Sequence, residues 1–205
     1  MSSPLKGIKI LDLTHMLAGP YGTMVLADLG AEIIKIEPPL KGEITRNLLK
    51  NDPDYSVDGV GAYHLTLGRN KKSLTLDLKS DPGKNIFYQL VKKADVVIDN
   101  FSSGVTKRLK IDHETLKTHN EKIISCSISG FGENAKSNRP AYDNVIQGVS
   151  GLMSLTGLNP ENPVKSGVPI SDLSTGLFAI IGILTALRKK DATGCLLYTS
   201  DAADD

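Results

Sequence analysis

An aspartate stands at the start of a long apolar pattern near the end of the chain. Asp172 is followed by apolar side chains with the spacing of one helix face, at Leu173, Leu177, Ile180, Ile181, Leu184 and Leu187. Unpaired N–H groups and partial positive charge at a helix start keep a carboxylate ionised. An ionised, fixed carboxylate suits nucleophilic attack, although an aspartate at such a position more often serves only as a helix cap.

A basic, polar cluster occurs earlier, where residues 70–73 read Asn-Lys-Lys-Ser. These four residues supply an amide, two ammonium groups and a hydroxyl. Each of these groups can donate a hydrogen bond to a phosphate oxygen. Lys107 and Arg108 lie close to another predicted loop. The pattern indicates a polyphosphate ligand, and its alternative is ordinary solvated surface.

No metal-binding pattern is found. The four histidines share no ligand spacing, and Cys126 and Cys195 have neither metal nor redox spacing. His15 is the histidine predicted to contact substrate, because it follows the first predicted strand. There is no Gly-x-Ser-x-Gly motif and no paired-carboxylate arrangement. We therefore predict no metal and no permanently bound cofactor.

Short apolar runs alternate with helical patterns along most of the chain. Strands are predicted at residues 8–13, 31–37, 73–77, 95–99 and 122–127. Helices are predicted at residues 20–29, 80–93, 112–119, 142–153 and 173–188. This alternation predicts an α/β fold, a Rossmann-like and mainly parallel sheet with flanking helices. Residues 38–70 form a long excursion, which is typical of a functional or mobile segment.

Ligands of such sheets bind beyond the carboxyl ends of the strands. Those ends correspond to the loops at residues 14–19, 37–42, 100–104 and 129–132. A dinucleotide in the first strand-helix-strand unit, with Glu37 on a ribose hydroxyl, is an alternative. The Gly-x-Gly-x-x-Gly sequence of that site is absent.

Bulk composition points away from several classes of partner. The 205 residues are 40% hydrophobic and 23% charged, with a formal net charge of +1. This balance favours neither nucleic acid nor a membrane surface as partner, and no apolar run reaches the length of a membrane span. Two unpaired cysteines and the absence of a leader pattern predict a cytoplasmic location. Residues 195–205 have no periodicity and are interpreted as a foreign tail after a domain of residues 1–194.

Six segments in fixed order give the chain a family resemblance. It resembles the family III coenzyme A transferases of the CaiB/BaiF type, and the segments are residues 6–39, 70–84, 94–104, 127–132, 139–157 and 167–188. The resemblance implies the large domain of an interlocked-ring enzyme, of which this chain is an N-terminal part. It also implies acyl-CoA and a small carboxylic acid as substrates, and a homodimer for the full-length protein.

The resemblance also implies roles for individual residues. Asp172 becomes the nucleophile, and His15 and Leu17 become substrate contacts. The CoA contacts that it implies are Asn70, Lys71, Lys72, Ser73, Asn100, Phe101, Arg108, Gly130 and Phe131. Leu17 stands where formyl-CoA transferases have a glutamine, and Pro38 stands where they have a CoA-contacting arginine.

The motifs look closest to the succinyl-CoA:glutarate branch of the family. The implied activity is transfer of CoA from a donor to an acceptor acid through an aspartyl-acyl anhydride and an aspartyl-CoA thioester. Two alternatives stay open, an acyl-CoA racemase of the same family and a non-catalytic CoA-binding module. Racemases of the family use a Gly-His-Asp segment, and the equivalent positions here read Ala141-Tyr142-Asp143. The second base of a racemase is therefore missing.

Overall fold

The computed structural model describes residues 3–132, 141–159 and 161–193. Its elements in chain order are β1 (Lys9–Asp12), α1 (Ala18–Asp28), β2 (Glu32–Glu37), a 3-10 helix (Ile44–Asn47), β3 (Ser56–Val57), β4 (Val60–Gly61), α2 (Ala62–Gly68), β5 (Lys71–Thr75), α3 (Asp81–Val91), β6 (Val96–Asp99), α4 (Val105–Leu109), α5 (His113–His119), β7 (Ile124–Ser127), α6 (Asp143–Val149), α7 (Leu152–Thr156) and α8 (Ile170–Thr193).

Five parallel strands form the central sheet, in the order β5-β2-β1-β6-β7. Leaving out the small β3-β4 hairpin, this order corresponds to strands 3-2-1-4-5 of the doubly wound fold, with β1 at the centre. The predicted fold class is thereby confirmed. The chain reverses its direction of winding between β1 and β6, so the loops that follow these two strands diverge and leave a crevice.

Alternating side chains send two apolar sets to opposite faces of the sheet. Ile10, Ile33 and Val96 pack with α1 and α8, whereas Leu11, Ile36 and Val97 pack with α3 and α5. Burial on both faces explains why these strands read as continuous apolar runs in the sequence. The alternation also determines where polar residues go, because Asp12 and Lys35 fall on the face of α1.

The longest helix, α8, packs against α1 through glycine. A Cβ at Gly176 would lie 2.6 Å from the Ala18 carbonyl oxygen and 3.0 Å from Tyr21 Cδ1. The buried residues of α8 are Gly176, Ile180, Ile183 and Leu187. Leu177 and Ile181, which were predicted for the inner face, are 46% and 58% exposed. The prediction was wrong there because α8 approaches α1 most closely at Gly176, and this contact determines which face of α8 is buried. Glycine has no apolar side chain, so the apolar pattern did not indicate this face.

By length and mean hydropathy alone, α8 would suffice to cross a membrane. The expectation that no segment reaches that limit is therefore wrong for α8. Its inner face contributes to the core beside β1, β2, β6 and β7, as helices packed on sheets do. Its outer face leaves Leu177, Phe178 and Ile181 exposed.

Replacing Gly176 with alanine is expected to lower the free energy of unfolding by about 1–3 kcal/mol, because the added methyl group overlaps backbone atoms of α1. Gly182→Ala is the matched control, since a Cβ there would have no atom within 4 Å. That variant is expected to leave stability unchanged or to raise it by up to about 1 kcal/mol through helix propensity. Urea denaturation compares the two, and equal stabilities would contradict the packing argument.

Three predicted elements differ clearly from the structure in their bounds. The helix predicted at residues 173–188 is α8, Ile170–Thr193, which begins before Asp172 rather than after it. The strand predicted at residues 73–77 lies at Lys71–Thr75, because its register is set by pairing with β2. The helix predicted at residues 142–153 is two helices, separated at Gly151 with φ of 80°. The long excursion contains the 3-10 helix, the hairpin and α2. It contacts the sheet at the end of β2, where the Glu43 N–H and the Arg46 side chain bind Glu37.

Candidate active site

The crevice between the loops after β1 and β6 collects three predicted residues. Asn100 Oδ1 accepts the His15 N–H at 2.7 Å, and Asn100 Nδ2 donates to the His15 carbonyl oxygen at 2.8 Å. The rings of His15 and Phe101 lie 5.1 Å apart. Asn100 therefore holds the β1-α1 loop through the backbone of His15, and the His15 ring packs against the Phe101 ring in a tilted arrangement.

The surroundings of the His15 imidazole favour its neutral form. Burial lowers its pKa, and the ammonium group of Lys35 lowers it further. A neutral imidazole can donate one hydrogen bond and accept another, and it adds no charge to the crevice. This suits contact with a substrate carbonyl or carboxylate.

A buried ion cluster of Asp12, Lys35 and Lys71 contacts the start of the β1-α1 loop. Asp12 lies 3.7 Å from Lys35 Nζ and 3.1 Å from Lys71 Nζ, and these two lysines hold its pKa far below the usual range despite its burial. Lys35 also donates to the Thr14 carbonyl oxygen at 2.6 Å. Lys71 donates to Thr23 Oγ1 at 2.7 Å.

This arrangement corrects the prediction for Lys71. Its side chain is 2% exposed and its ammonium group bonds Asp12, Thr23 and the Pro20 carbonyl oxygen, so it does not face a phosphate. The sequence could not show that Lys71 is buried, because β5 is an edge strand with polar residues on both of its faces. Its residue pattern therefore does not indicate which face is turned towards the core.

The neighbours of Lys71 on β5 also lie away from the crevice. Asn70 donates to Asp28 at 2.8 Å and Lys72 pairs with Glu32 at 2.8 Å. Asp28 ends α1 and Glu32 begins β2, so both contacts are at the amino end of the sheet. Ser73 donates to Glu37 Oε1 at 2.6 Å. The cation that follows β5 at the carboxyl edge is instead Lys79, which is exposed.

The remaining predicted CoA contacts follow strands at the carboxyl edge. Arg108 is exposed in α4, after the β6 loop. Gly130 and Phe131 follow β7, and a Cβ at Gly130 would overlap the Ala141 side chain at 1.9 Å. Only glycine fits at position 130 without moving the backbone. The polar loop predicted at residues 133–140 lies outside the described residues.

Asp172 lies in the first turn of α8, half-buried, at the end of α8 that approaches α1. Burial raises its pKa above the usual range, and the carboxylate of Asp143 raises it further. The direction is opposite to that expected from a helix start alone. Desolvation and a like charge thus outweigh the stabilising helix terminus. The carboxylate is consequently a stronger base and nucleophile than a solvated aspartate.

Asp143 contacts the start of α8, which the sequence analysis did not predict. Its Oδ1 accepts the N–H groups of Ser171 at 2.9 Å and Asp172 at 3.3 Å, so it caps α8 from a different helix. Its Oδ2 accepts from Gln147 Nε2 at 2.6 Å, and Gln147 Oε1 accepts the Ser166 N–H at 2.8 Å. Asp143 and the fully buried Gln147 therefore hold both the start of α8 and the segment before it.

Tyr63 on α2 is a second residue that was missed. Burial raises the pKa of its phenol, as do the negative charges of Asp172 and Glu43. The phenol thus remains a neutral donor close to the Asp172 carboxylate. A single tyrosine inside an irregular excursion gives no sequence signal for such a position.

Replacing Asp143 with asparagine is expected to lower the pKa of Asp172, because the like charge is removed while an oxygen remains to cap α8. Asp143→Ala also removes the cap, and it is expected to cost about 1–2 kcal/mol of stability. NMR titration of the Asp172 carboxyl group measures the first effect. Ser80→Ala, which removes the cap of α3, is the control that should not move this pKa. An unchanged pKa in Asp143→Asn would contradict the electrostatic coupling.

The Cys126 thiol does not compete with Asp172 as nucleophile. Burial raises the pKa of the Cys126 thiol to about 12, so it stays protonated. Within residues 3–132, 141–159 and 161–193, no group of three or more His, Cys, Asp or Glu residues could hold a metal ion.

Comparison with known proteins decides the family. The sequence model of CoA-transferase family III matches residues 5–195. The chain belongs to CoA-transferase family III. Its relatives include succinyl-CoA:mesaconate CoA-transferase of Haloarcula hispanica, 37% identical over 98% of this chain and 52% of that protein. They also include formyl-CoA:oxalate CoA-transferase of Bradyrhizobium sp. (strain ORS 278), 41% identical over 95% of this chain and 45% of that protein.

Two solved structures have the same fold as this chain. A CaiB/BaiF family protein from Brucella suis is 40% identical, with a TM-score of 0.87 over 95% of this chain and 52% of that chain. A protein of Mycobacterium tuberculosis is 31% identical, with a TM-score of 0.84 over the same shares. The chain thus spans about half the length of the family III proteins that it matches.

Proposed function

We propose that the full-length protein transfers CoA from an acyl-CoA donor to a carboxylic acid acceptor, with Asp172 as the nucleophile. The observation that carries the proposal is the half-buried Asp172 carboxylate with its raised pKa, held by Asp143 in the first turn of α8. Membership of CoA-transferase family III supports the reaction class.

The first half of the proposed reaction has two steps. The Asp172 carboxylate attacks the thioester carbonyl carbon of the donor, the C–S bond breaks, and CoA leaves as a thiolate with a mixed acyl-aspartyl anhydride on the enzyme. The thiolate then attacks the aspartyl carbonyl carbon of this anhydride. The donor acid leaves as a carboxylate, and an aspartyl-CoA thioester remains.

The second half repeats these steps in the reverse order. The acceptor carboxylate attacks the aspartyl-CoA carbonyl carbon and expels CoA thiolate, giving a second anhydride. The thiolate attacks the acceptor's acyl carbon, which releases the new acyl-CoA and regenerates the Asp172 carboxylate. Backbone N–H groups would stabilise each oxyanion, and exclusion of water would protect both anhydrides from hydrolysis.

For CoA we propose a path along the carboxyl edge of the sheet. Asn100, Phe101, Gly130 and Phe131 stay in the proposal because they follow β6 and β7 at this edge. Arg108 and Lys79 are the exposed cations proposed for the phosphates. Lys79 replaces Lys72, whose ammonium group pairs with Glu32 at the opposite end.

For the carboxylic acid we propose a small dicarboxylic acid. Relatives of both kinds described above carry a dicarboxylic acid in their names, mesaconate in one and oxalate in the other. The apolar Leu17 in the β1-α1 loop narrows this proposal to a dicarboxylic acid of four to six carbons, which mesaconate is and the shorter oxalate is not. A competition assay with succinyl-CoA as donor and glutarate, oxalate, formate and carnitine as acceptors tests this. Preferential use of formate or oxalate would contradict the role given to Leu17.

Trapping separates the proposed transferase from its alternatives. The full-length gene product is incubated with succinyl-CoA and hydroxylamine, which captures an acylated aspartate as a hydroxamate. A hydroxamate on the Asp172 peptide supports the proposal, and its absence with CoA bound supports a CoA-binding module. Deuterium exchange at the α-carbon of a branched acyl-CoA would indicate a racemase instead. We also propose that the full-length protein is active as a homodimer, as the family resemblance implies.

A further inference from the structure

One residue of the β1-α1 loop has a left-handed backbone although it is not glycine. Met16 has φ of 61° and stands between His15 and Leu17. A side chain with a Cβ enters this region at an energetic cost, and such a conformation persists only where the surroundings impose it. The contacts of Met16 therefore identify what holds the loop.

The contact on Met16 comes from Glu43 in the excursion. Glu43 Oε1 accepts the Met16 N–H at 2.9 Å, and the glutamate is 2% exposed. Glu43 is itself fixed at its backbone, where its N–H donates to Glu37 Oε2 at 2.8 Å. Arg46 in turn binds Glu37 through Nε at 2.6 Å and Nη2 at 2.7 Å. The acceptor for Met16 is thus anchored to the end of β2.

Thr45 and His64 hold the other oxygen of the Glu43 carboxylate. Oε2 accepts the Thr45 N–H at 3.0 Å and also the Thr45 hydroxyl. His64 Nδ1 lies 3.5 Å from Oε2 and 3.1 Å from Thr45 Oγ1, and this histidine is buried. With both oxygens engaged, the carboxylate has a single orientation. His64 is adjacent in sequence to Tyr63, whose phenol senses the charges of Asp172 and Glu43.

We infer that Glu43 is a positioning residue. Held by Thr45 and His64, it keeps Met16 left-handed and so fixes His15 and Leu17 in the crevice. The Asn100 side chain binds the N–H and the carbonyl oxygen of His15. The next N–H along the loop, that of Met16, is bound by Glu43. The consequence for catalysis rests on the proposed function, whereas the hold on the loop does not.

Hydrogen exchange at the Met16 amide in the full-length gene product tests the hold directly. Glu43→Ala is expected to speed this exchange at least about tenfold, whereas Glu43→Gln keeps an oxygen acceptor and should retain most of the protection. Thr45→Val loosens the carboxylate with less disturbance, and it should give a smaller acceleration if Glu43→Ala does not fold. Exchange at the wild-type rate in both Glu43→Ala and Thr45→Val would overturn the inference.

A double-mutant cycle tests the consequence for turnover. With succinyl-CoA and the best acceptor, Glu43→Ala should lower kcat about tenfold or more and change KM for succinyl-CoA by less than about threefold. Glycine adopts left-handed backbone freely, so the kcat loss should be smaller when Glu43→Ala is made in a Met16→Gly protein. Equal losses in both backgrounds would overturn the role of Met16 strain.

Asp112→Ala is the matched control for both measurements. It also removes a carboxylate that accepts from a backbone N–H and a threonine hydroxyl, but at the start of α5. It should leave Met16 exchange and kcat within about twofold of wild type. If the wild-type protein transfers no CoA, the proposed function fails while the exchange experiment still decides whether Glu43 holds the loop.

Discussion

Replacing Asp172 with alanine is expected to reduce CoA transfer by the full-length gene product at least about a thousandfold, which corresponds to about 4 kcal/mol of lost transition-state stabilisation. The reason is that the proposed reaction passes through covalent intermediates on the Asp172 carboxylate, and alanine has no group that could form them. Binding of acyl-CoA, measured by calorimetry, should change little, because the proposed CoA contacts lie on the loops after β5, β6 and β7.

The control for this experiment is Asp191→Ala, an exposed aspartate near the other end of α8. It should retain wild-type transfer. Asp172→Asn should be as inactive as Asp172→Ala, because an amide is not a nucleophile of comparable strength. Transfer by Asp172→Ala above about a hundredth of the wild-type rate would remove Asp172 from the nucleophile role.

Replacing Lys71 with methionine is expected to destabilise the protein by about 3–5 kcal/mol, because it leaves the fully buried Asp12 with one fewer cation. Lys72→Met on the same strand is the matched control. The Lys72 side chain is 71% exposed and pairs with a partly exposed Glu32, so its loss should cost less than about 1 kcal/mol. Urea denaturation measures both, and similar small losses would show that Lys71 is not part of the buried cluster.

The pKa of Asp12 in the same cluster determines how the free energy of unfolding should change as the pH is lowered. The folded-state pKa of Asp12 is depressed below the ordinary value of 3.8. The stability that this carboxylate contributes is therefore complete above the unfolded-state pKa and is lost as the pH falls below it. In Lys71→Met the depression should be smaller, so the stability difference between variant and wild type should shrink as the pH is lowered through this range.

Local patterns were sufficient for most of the sheet and its helices. The strands at β1, β2, β6 and β7 were predicted within about two residues, because side chains buried on both faces leave continuous apolar runs that a sequence displays directly. The order of strands and helices then predicted which loops meet at the carboxyl edge. Asp172 and His15 were accordingly identified from their positions after a helix start and a strand end.

Long-range pairing was beyond these patterns. Whether a lysine of β5 faces solvent or the core depends on a partner 59 positions away, Asp12, and on the register with β2. This is why Asn70, Lys71 and Lys72 looked like a phosphate site in the sequence, while the structure engages all three with carboxylates of the protein itself.

The sequence by itself determined the α/β class and the family, and it predicted Asp172 as the nucleophile. Only the tertiary structure decided the environment of that aspartate. Asp143 reaches α8 from another helix, Tyr63 and Glu43 return from an irregular excursion, and Gly176 lets α8 approach α1. Secondary structure follows from the spacing of neighbouring side chains, whereas the pKa and orientation of Asp172 depend on groups brought together by packing, and no local pattern encodes such distances.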